Sequence, residues 1–168
     1  MKKRSAIRFA LFTLVLLSAM SVSAGSWKND DFSLAWTVEG SELLLTVSAP
    51  TTGWVAVGFG PSRMMKDANI VIGAVLPDGG VMAEDHFGTG LTSHGKDTEN
   101  GGAANLRVIS GEERNGTTTI SFAIPLESGD PKDARLVPGS KIVVILASSS
   151  RDTFTSKHTR KAKAEIQL

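Results

Sequence analysis

Two adjacent methionines, Met64 and Met65, stand in the polar stretch "PSRMMKD" between two apolar runs, and three histidines, His86, His94 and His158, are spread along the rest of the chain. Methionine is first of all a filler of core gaps. Thioethers in a segment that should face water therefore ask for a second reason. A thioether is a soft ligand, and with an imidazole it completes a six-coordinate haem iron of the electron-transfer kind. On residue type alone any of the three histidines could be the partner. A different grouping would join His86 and His94 to Asp85 and Asp97 around a metal ion, but these spacings match no recognised ligand pattern. The serines of "SSSRD", Ser148 to Asp152, have no histidine in a recognisable nucleophile arrangement. The chain has no cysteine, which removes thiolate zinc sites, iron–sulfur clusters, disulfides and C-x-x-C-H haem attachment. Any haem would be held non-covalently.

These residues need elements to position them, and the first stretch of the chain is not one of those elements. "MKKRSAIRFALFTLVLLSAMSVSAG" has a basic start, an apolar stretch from Phe9 to Met20 and small residues at Val22-Ser23-Ala24. That is the pattern of a secretory signal peptide, residues 1–24, cleaved after Ala24. The apolar stretch is short for a bilayer crossing, and no later segment is long enough for one. The expected location is periplasmic or secreted, with no stable membrane insertion after cleavage. The mature part, residues 25–168, is one domain of 144 residues. The leader holds Lys2, Lys3, Arg4 and Arg8 and no acid, so 14 cations face 17 acids in the mature chain, a net charge of −3. Such a balance gives no reason to expect nucleic-acid binding.

Period-two patterning dominates the mature chain. "FSLAWTVEG" puts Leu34, Trp36 and Val38 on one face, and "GWVAVGFG" alternates Trp54, Ala56, Gly58 and Gly60 with Val55, Val57 and Phe59. Two glycines on one face of a strand suit a bend or the close approach of a flat ligand. "ANIVIGAVLP" is apolar on both faces and reads as a central strand. Asn115-Gly116 signals a hairpin, after which Ile120, Phe122 and Ile124 point inward. "SKIVVILASSS" is another buried strand, and in the final "KAKAEIQL" Ala162, Ala164, Ile166 and Leu168 alternate with polar residues. "TGLTSHGKDTENGGAA" is the longest loop. About nine short strands predict an all-β fold, an antiparallel immunoglobulin-like β-sandwich.

The run from Gly53 to Gly60, then Met65-Lys66-Asp67-Ala68-Asn69-Ile70-Val71-Ile72-Gly73, "AEDHFGTG" and a late His158 before a basic last strand together resemble the DOMON domain family. The likeness covers nearly the whole mature chain, and Asn69 departs from it where an acid is commoner. DOMON domains are β-sandwiches related to the cytochrome domain of cellobiose dehydrogenase. Some bind haem b between a methionine after the G-W-x-A-x-G strand and a histidine near the C-terminus, and others are thought to bind sugars. Carried over by position, the resemblance implies Met65 and His158 as the axial iron ligands. It also implies Trp54, Gly58 and Phe59 near the macrocycle, with Met64 as a neighbour. Lys157 and Arg160, closest to His158, are then candidates for the haem propionates.

The function this implies is that of an exported b-type cytochrome with one haem b. It would exchange single electrons with a redox partner protein: a dehydrogenase, a membrane cytochrome or a soluble carrier. It is not expected to be an enzyme itself, because two protein ligands fill both axial positions. The alternative is a carbohydrate-binding sandwich without haem. Sugar platforms usually rely on exposed aromatics, and this chain has no tyrosine and only Trp27, Trp36 and Trp54.

Overall fold

The computed structural model describes residues 23–168, so the predicted leader lies outside the described residues except for Ser23 and Ala24. Among the described residues, eleven strands form two antiparallel sheets. One holds, in spatial order, β1 (Ser23–Lys28), β2 (Ser33–Glu39), β3 (Glu42–Ala49), β9 (Thr117–Pro125) and β8 (Arg107–Arg114). The other holds β11 (Arg160–Gln167), β10 (Lys141–Ser148), β4 (Val55–Phe59), β5 (Asn69–Val75), β6 (Val81–Phe87) and β7 (Gly95–Lys96). Every pairing is antiparallel. The expected all-β sandwich is the fold observed. It has two more strands than the sequence suggested: β1, which starts within the predicted leader, and β7, in the long polar loop that also holds a 3-10 turn at Asp97–Glu99.

The alternation read in the sequence decides which side chains meet between the sheets. Leu34, Trp36 and Val38 of β2, Leu43, Leu45 and Val47 of β3, and Ile120, Phe122 and Ile124 of β9 meet Val55, Val57 and Phe59 of β4 and Val144 and Leu146 of β10. At the β8–β9 hairpin, Asn115 and Gly116 both take left-handed backbone angles, φ 52° and 72°, which is the conformation this dipeptide favours.

The two outer faces differ. On the five-stranded sheet the outer face carries hydroxyl pairs such as Ser33–Ser48 and Thr46–Ser121, at 2.7 and 2.8 Å. On the six-stranded sheet a second apolar cluster forms from Trp54, Ala56, Ile70, Ile72, Ala74 and Phe154. β5 is therefore buried on both sides, as a central strand should be. Ala68 and Phe154 bring two loops, 60–68 and 149–159, to this second face.

Candidate functional site

The outer face of the six-stranded sheet is laid out by strand register. Ile145 of β10, Gly58 of β4, Ile70 of β5, His86 of β6 and Lys96 of β7 form one row across it, and Ala147, Ala56, Ile72 and Glu84 form the next. A methyl group on Gly58 would come within 2.9 Å of Ile145 and 3.0 Å of Ile70. The two isoleucines thus close over the glycine, and a flat ligand here would rest on them rather than on Gly58 itself.

Met65 lies in the β4–β5 connection, which leads through Ala68 of the outer apolar cluster into β5. Arg63 to Lys66 form a tight turn, with the Lys66 N–H donating to the Arg63 carbonyl at 3.0 Å. Met64 has φ 54° and Asp67 φ 64°, left-handed values that are uncommon for residues other than glycine. Met64 points to solvent, 53% exposed, and Met65 is half-buried. The turn is fastened to the β6–β7 connection: the Met65 N–H donates to Leu91 O at 3.3 Å, and the Asp67 N–H donates to Gly88 O at 2.8 Å. Gly88 lies directly against the Met65 carbonyl, leaving no room for a Cβ. The glycine is needed there so that two backbones can touch.

His158 is carried by the 149–159 loop, whose seat is also a glycine contact. A Cβ on Gly53 would collide with the backbone of Ser149 and Arg151. Trp54, 3% exposed, donates its indole N–H to Ser156 Oγ at 2.9 Å, and Phe154 of the same loop packs into the outer apolar cluster. Trp54 is therefore the anchor of the loop that carries His158.

Three histidines gather at this end. His86 and His94 share a hydrogen bond between their Nδ1 atoms at 2.8 Å, and His86 donates from Nε2 to Glu84 at 2.9 Å. Burial and the charges of His86 and His158 hold His94 below the usual histidine range, which places His158 within electrostatic reach of His94. His158 is lowered as well, by burial and then by Lys161 and Lys157. Both shifts favour neutral imidazoles, the form that offers a lone pair to a metal. Glu84 is below the carboxylate range: burial opposes its ionisation, but hydrogen bonds from Lys96 and His86 outweigh it.

Two residues expected at the cofactor lie elsewhere. Phe59 is fully buried between the sheets, in phase with Val55 and Val57, on the opposite side of β4 from Ala56 and Gly58. Arg160 pairs with Ser148 on the inner side of β11, where it bonds Asp31 at 2.9 Å and the Pro50 carbonyl at 2.9 Å. The cations that share the outer side are Lys161 and Lys163, opposite Ala147 and Ile145. Lys157 is exposed beside His158. The grouping of His86 and His94 with Asp85 and Asp97 does not form, because neighbours on a strand face opposite ways. His86 joins the outer face, while Asp85 turns inward to meet Asp97 and Asp133.

The residues fit a haem in the nature of the donors and their setting: a half-buried thioether and a half-buried neutral imidazole on two fastened loops, beside an aliphatic sheet face edged by lysines. Of the three tryptophans, Trp36 and Trp54 are buried and only Trp27 is half-buried, which leaves little for a sugar platform.

Comparison with known proteins agrees with this architecture. The cytochrome domain of Myriococcum thermophilum cellobiose dehydrogenase has a similar structure, with a TM-score of 0.61 over 88% of this chain and 82% of that one, at 14% sequence identity. At that identity the likeness is one of fold. The pattern that defines the DOMON domain matches residues 28–149, from the end of β1 to the start of the His158 loop. The chain belongs to the DOMON domain family.

Proposed function

We propose that this DOMON domain is an exported b-type cytochrome that binds one non-covalent haem b, with Met65 and His158 as axial ligands, and passes single electrons to or from a redox partner protein. The observation that carries the reading is the apolar outer face of the six-stranded sheet, flanked by a methionine turn and a histidine loop that are each fixed by a glycine contact. The fold likeness to a cytochrome domain supports it.

A haem iron held by thioether and imidazole supplies a one-electron couple at a higher potential than bis-histidine ligation gives. Around it, Ile70, Ile72 and Ile145 would exclude water, and Lys157, Lys161 and Lys163 would face the propionates. With both axial positions taken, catalysis is left to the partner, whether a dehydrogenase, a membrane cytochrome or a soluble carrier. Among the described residues no helix is long and apolar enough to cross a membrane. Export would follow from the leader at residues 1–24.

The test is visible spectroscopy of the haem-reconstituted protein, oxidised and then reduced. Sharp low-spin bands are expected on reduction. The thioether-to-iron charge-transfer band of the oxidised form should disappear in Met65→Ala and in His158→Ala and persist in Met64→Ala. A folded protein that shows no Soret band with haem in excess would refute the proposal and make glycan binding the next assay.

A further inference from the structure

Behind the haem-facing side, at the rim of the sandwich interior, lies an acidic cluster that the cytochrome reading does not use. Asp85 of β6, Asp97 at the start of the 3-10 turn and Asp133 of the 126–140 connection each place a carboxylate oxygen within 4.8 Å of the other two. Asp130 adds its charge to Asp85 and Asp97. Acidic residues often cluster without purpose, so the state of their oxygens matters more than their number.

Asp97 is 1% exposed, and neither of its carboxylate oxygens has a hydrogen-bond partner. Asp85, 5% exposed, leaves Oδ1 without one. The neutral Asn69, 4% exposed, donates its amide to Asp133 Oδ1 at 2.8 Å while its own carbonyl oxygen is unpartnered. Buried acceptors left in this state are costly, and native proteins rarely tolerate several together. The remaining oxygens are held in place: Asp85 Oδ2 accepts from the Asn105 N–H at 2.9 Å, and Asp133 Oδ2 accepts from the Asn105 amide at 2.9 Å. Asp130 accepts from the N–H groups of Ala103 and Lys132. Gly102 has no space for a methyl, which would meet Asp97 at 2.7 Å and Asp130 at 3.0 Å.

Among the described residues no cation forms an ion pair with Asp85, Asp97, Asp130 or Asp133. The field of Lys132 reaches Asp97, but its ammonium sits over the Phe87 ring, 4.5 Å from the centroid. The donors are all oxygens, carboxylate and amide, with no imidazole or sulfur, which is the set a hard cation takes. Carboxylate oxygens at these separations can share an ion at the usual calcium–oxygen length of about 2.3–2.6 Å. Magnesium keeps several waters and a stricter octahedron, whereas this pocket offers protein oxygens from four segments of chain.

We propose that Asp85, Asp97, Asp133 and the Asn69 carbonyl oxygen bind a calcium ion that ties the 3-10 turn and the Asp130–Asp133 segment to the ends of β5 and β6. The site adjoins the Met65 turn through Ala68, whose N–H donates to the Met65 carbonyl at 3.1 Å, so the ion would also steady that turn. It requires no haem.

The experiment uses haem-free protein passed through chelator. It is titrated with calcium chloride by calorimetry and melted with calcium, with magnesium, or with sodium chloride of equal ionic strength. One saturable calcium site is expected, at least tenfold tighter than magnesium, with a rise in melting temperature of several degrees. Asp97→Asn and Asp133→Asn should each keep the wild-type circular dichroism and lose that rise. No heat and no shift in the wild-type protein up to about 10 mM calcium, the weak end for extracellular modules, would overturn the proposal. So would binding that both variants retain.

Discussion

At the scale of single residues, Trp54 has a role that its place in the strand does not announce. Its indole N–H bonds Ser156 and its ring lies in the outer apolar cluster, so it holds the histidine loop. Trp54→Phe keeps most of the ring and loses the hydrogen bond. The expected cost is about 1 kcal/mol in thermal or urea unfolding, together with faster loss of bound haem to a scavenging apoprotein. A haem-loss rate equal to wild type would show that the anchor is unimportant. The inner sides on which Phe59 and Arg160 stand were legible in the alternation. Phe59 shares the parity of Val55 and Val57, and Arg160 that of Ala162; closeness along the chain to Gly58 and to His158 outweighed the alternation. Asp133 could not have been found, because it lies far along the chain from Asp85 and only the packing of a distant loop brings it near.

At the scale of elements, each candidate ligand is carried by a loop whose position is set by backbone touching backbone. Such contacts tolerate no side chain, and they tie the Met65 turn to Gly88 and the His158 loop to Gly53. Gly88→Ala should therefore cost more than a typical surface change, about 2 kcal/mol or more, and should shift the haem spectrum by moving Met65. Gly116→Ala meets nothing within 4 Å and pays only for its left-handed φ of 72°, about 1 kcal/mol. Chemical denaturation of the two variants side by side checks this, and equal losses would mean that the Gly88 contact relaxes freely. The strands themselves were readable because a half-buried strand must alternate and a doubly buried one must not. The loop contacts were not readable, because a glycine that marks a close approach looks the same in sequence as one that marks a turn.

At the scale of the molecule, the buried acids set the response to pH. Burial, with Asp133, Asp97 and Asp130 nearby, pushes Asp85 up to about 7 against the pull of the Asn105 N–H. Burial, then Asp130 and Asp133, pushes Asp97 up to about 6, with Lys132 opposing. Both folded values lie above the ordinary aspartate value of about 3.9 that applies when unfolded. The folded state then binds more protons, and its stability from these groups is full below about pH 4 and is lost as pH rises through about 6 to 7. In calcium-free buffer the slope of melting temperature between pH 5 and 8 should be more negative in wild type than in Asp85→Asn, the lowered His94 and His158 contributing the opposite slope to both. Equal slopes would show that Asp85 is not the titrating group.

Among the described residues the two sheets end in four edge strands, β1, β8, β7 and β11. The β7 margin is only two residues long, and β11 carries Lys161 and Lys163. The β8 margin exposes Val108 and Ile109, but its register breaks between Val108 and Ser110. A strand interrupted in this way cannot template the straight ladder that an incoming chain would need. One irregular residue, Ile109, thus breaks the ladder that β8 would otherwise offer along that margin of a chain with no disulfide to brace it.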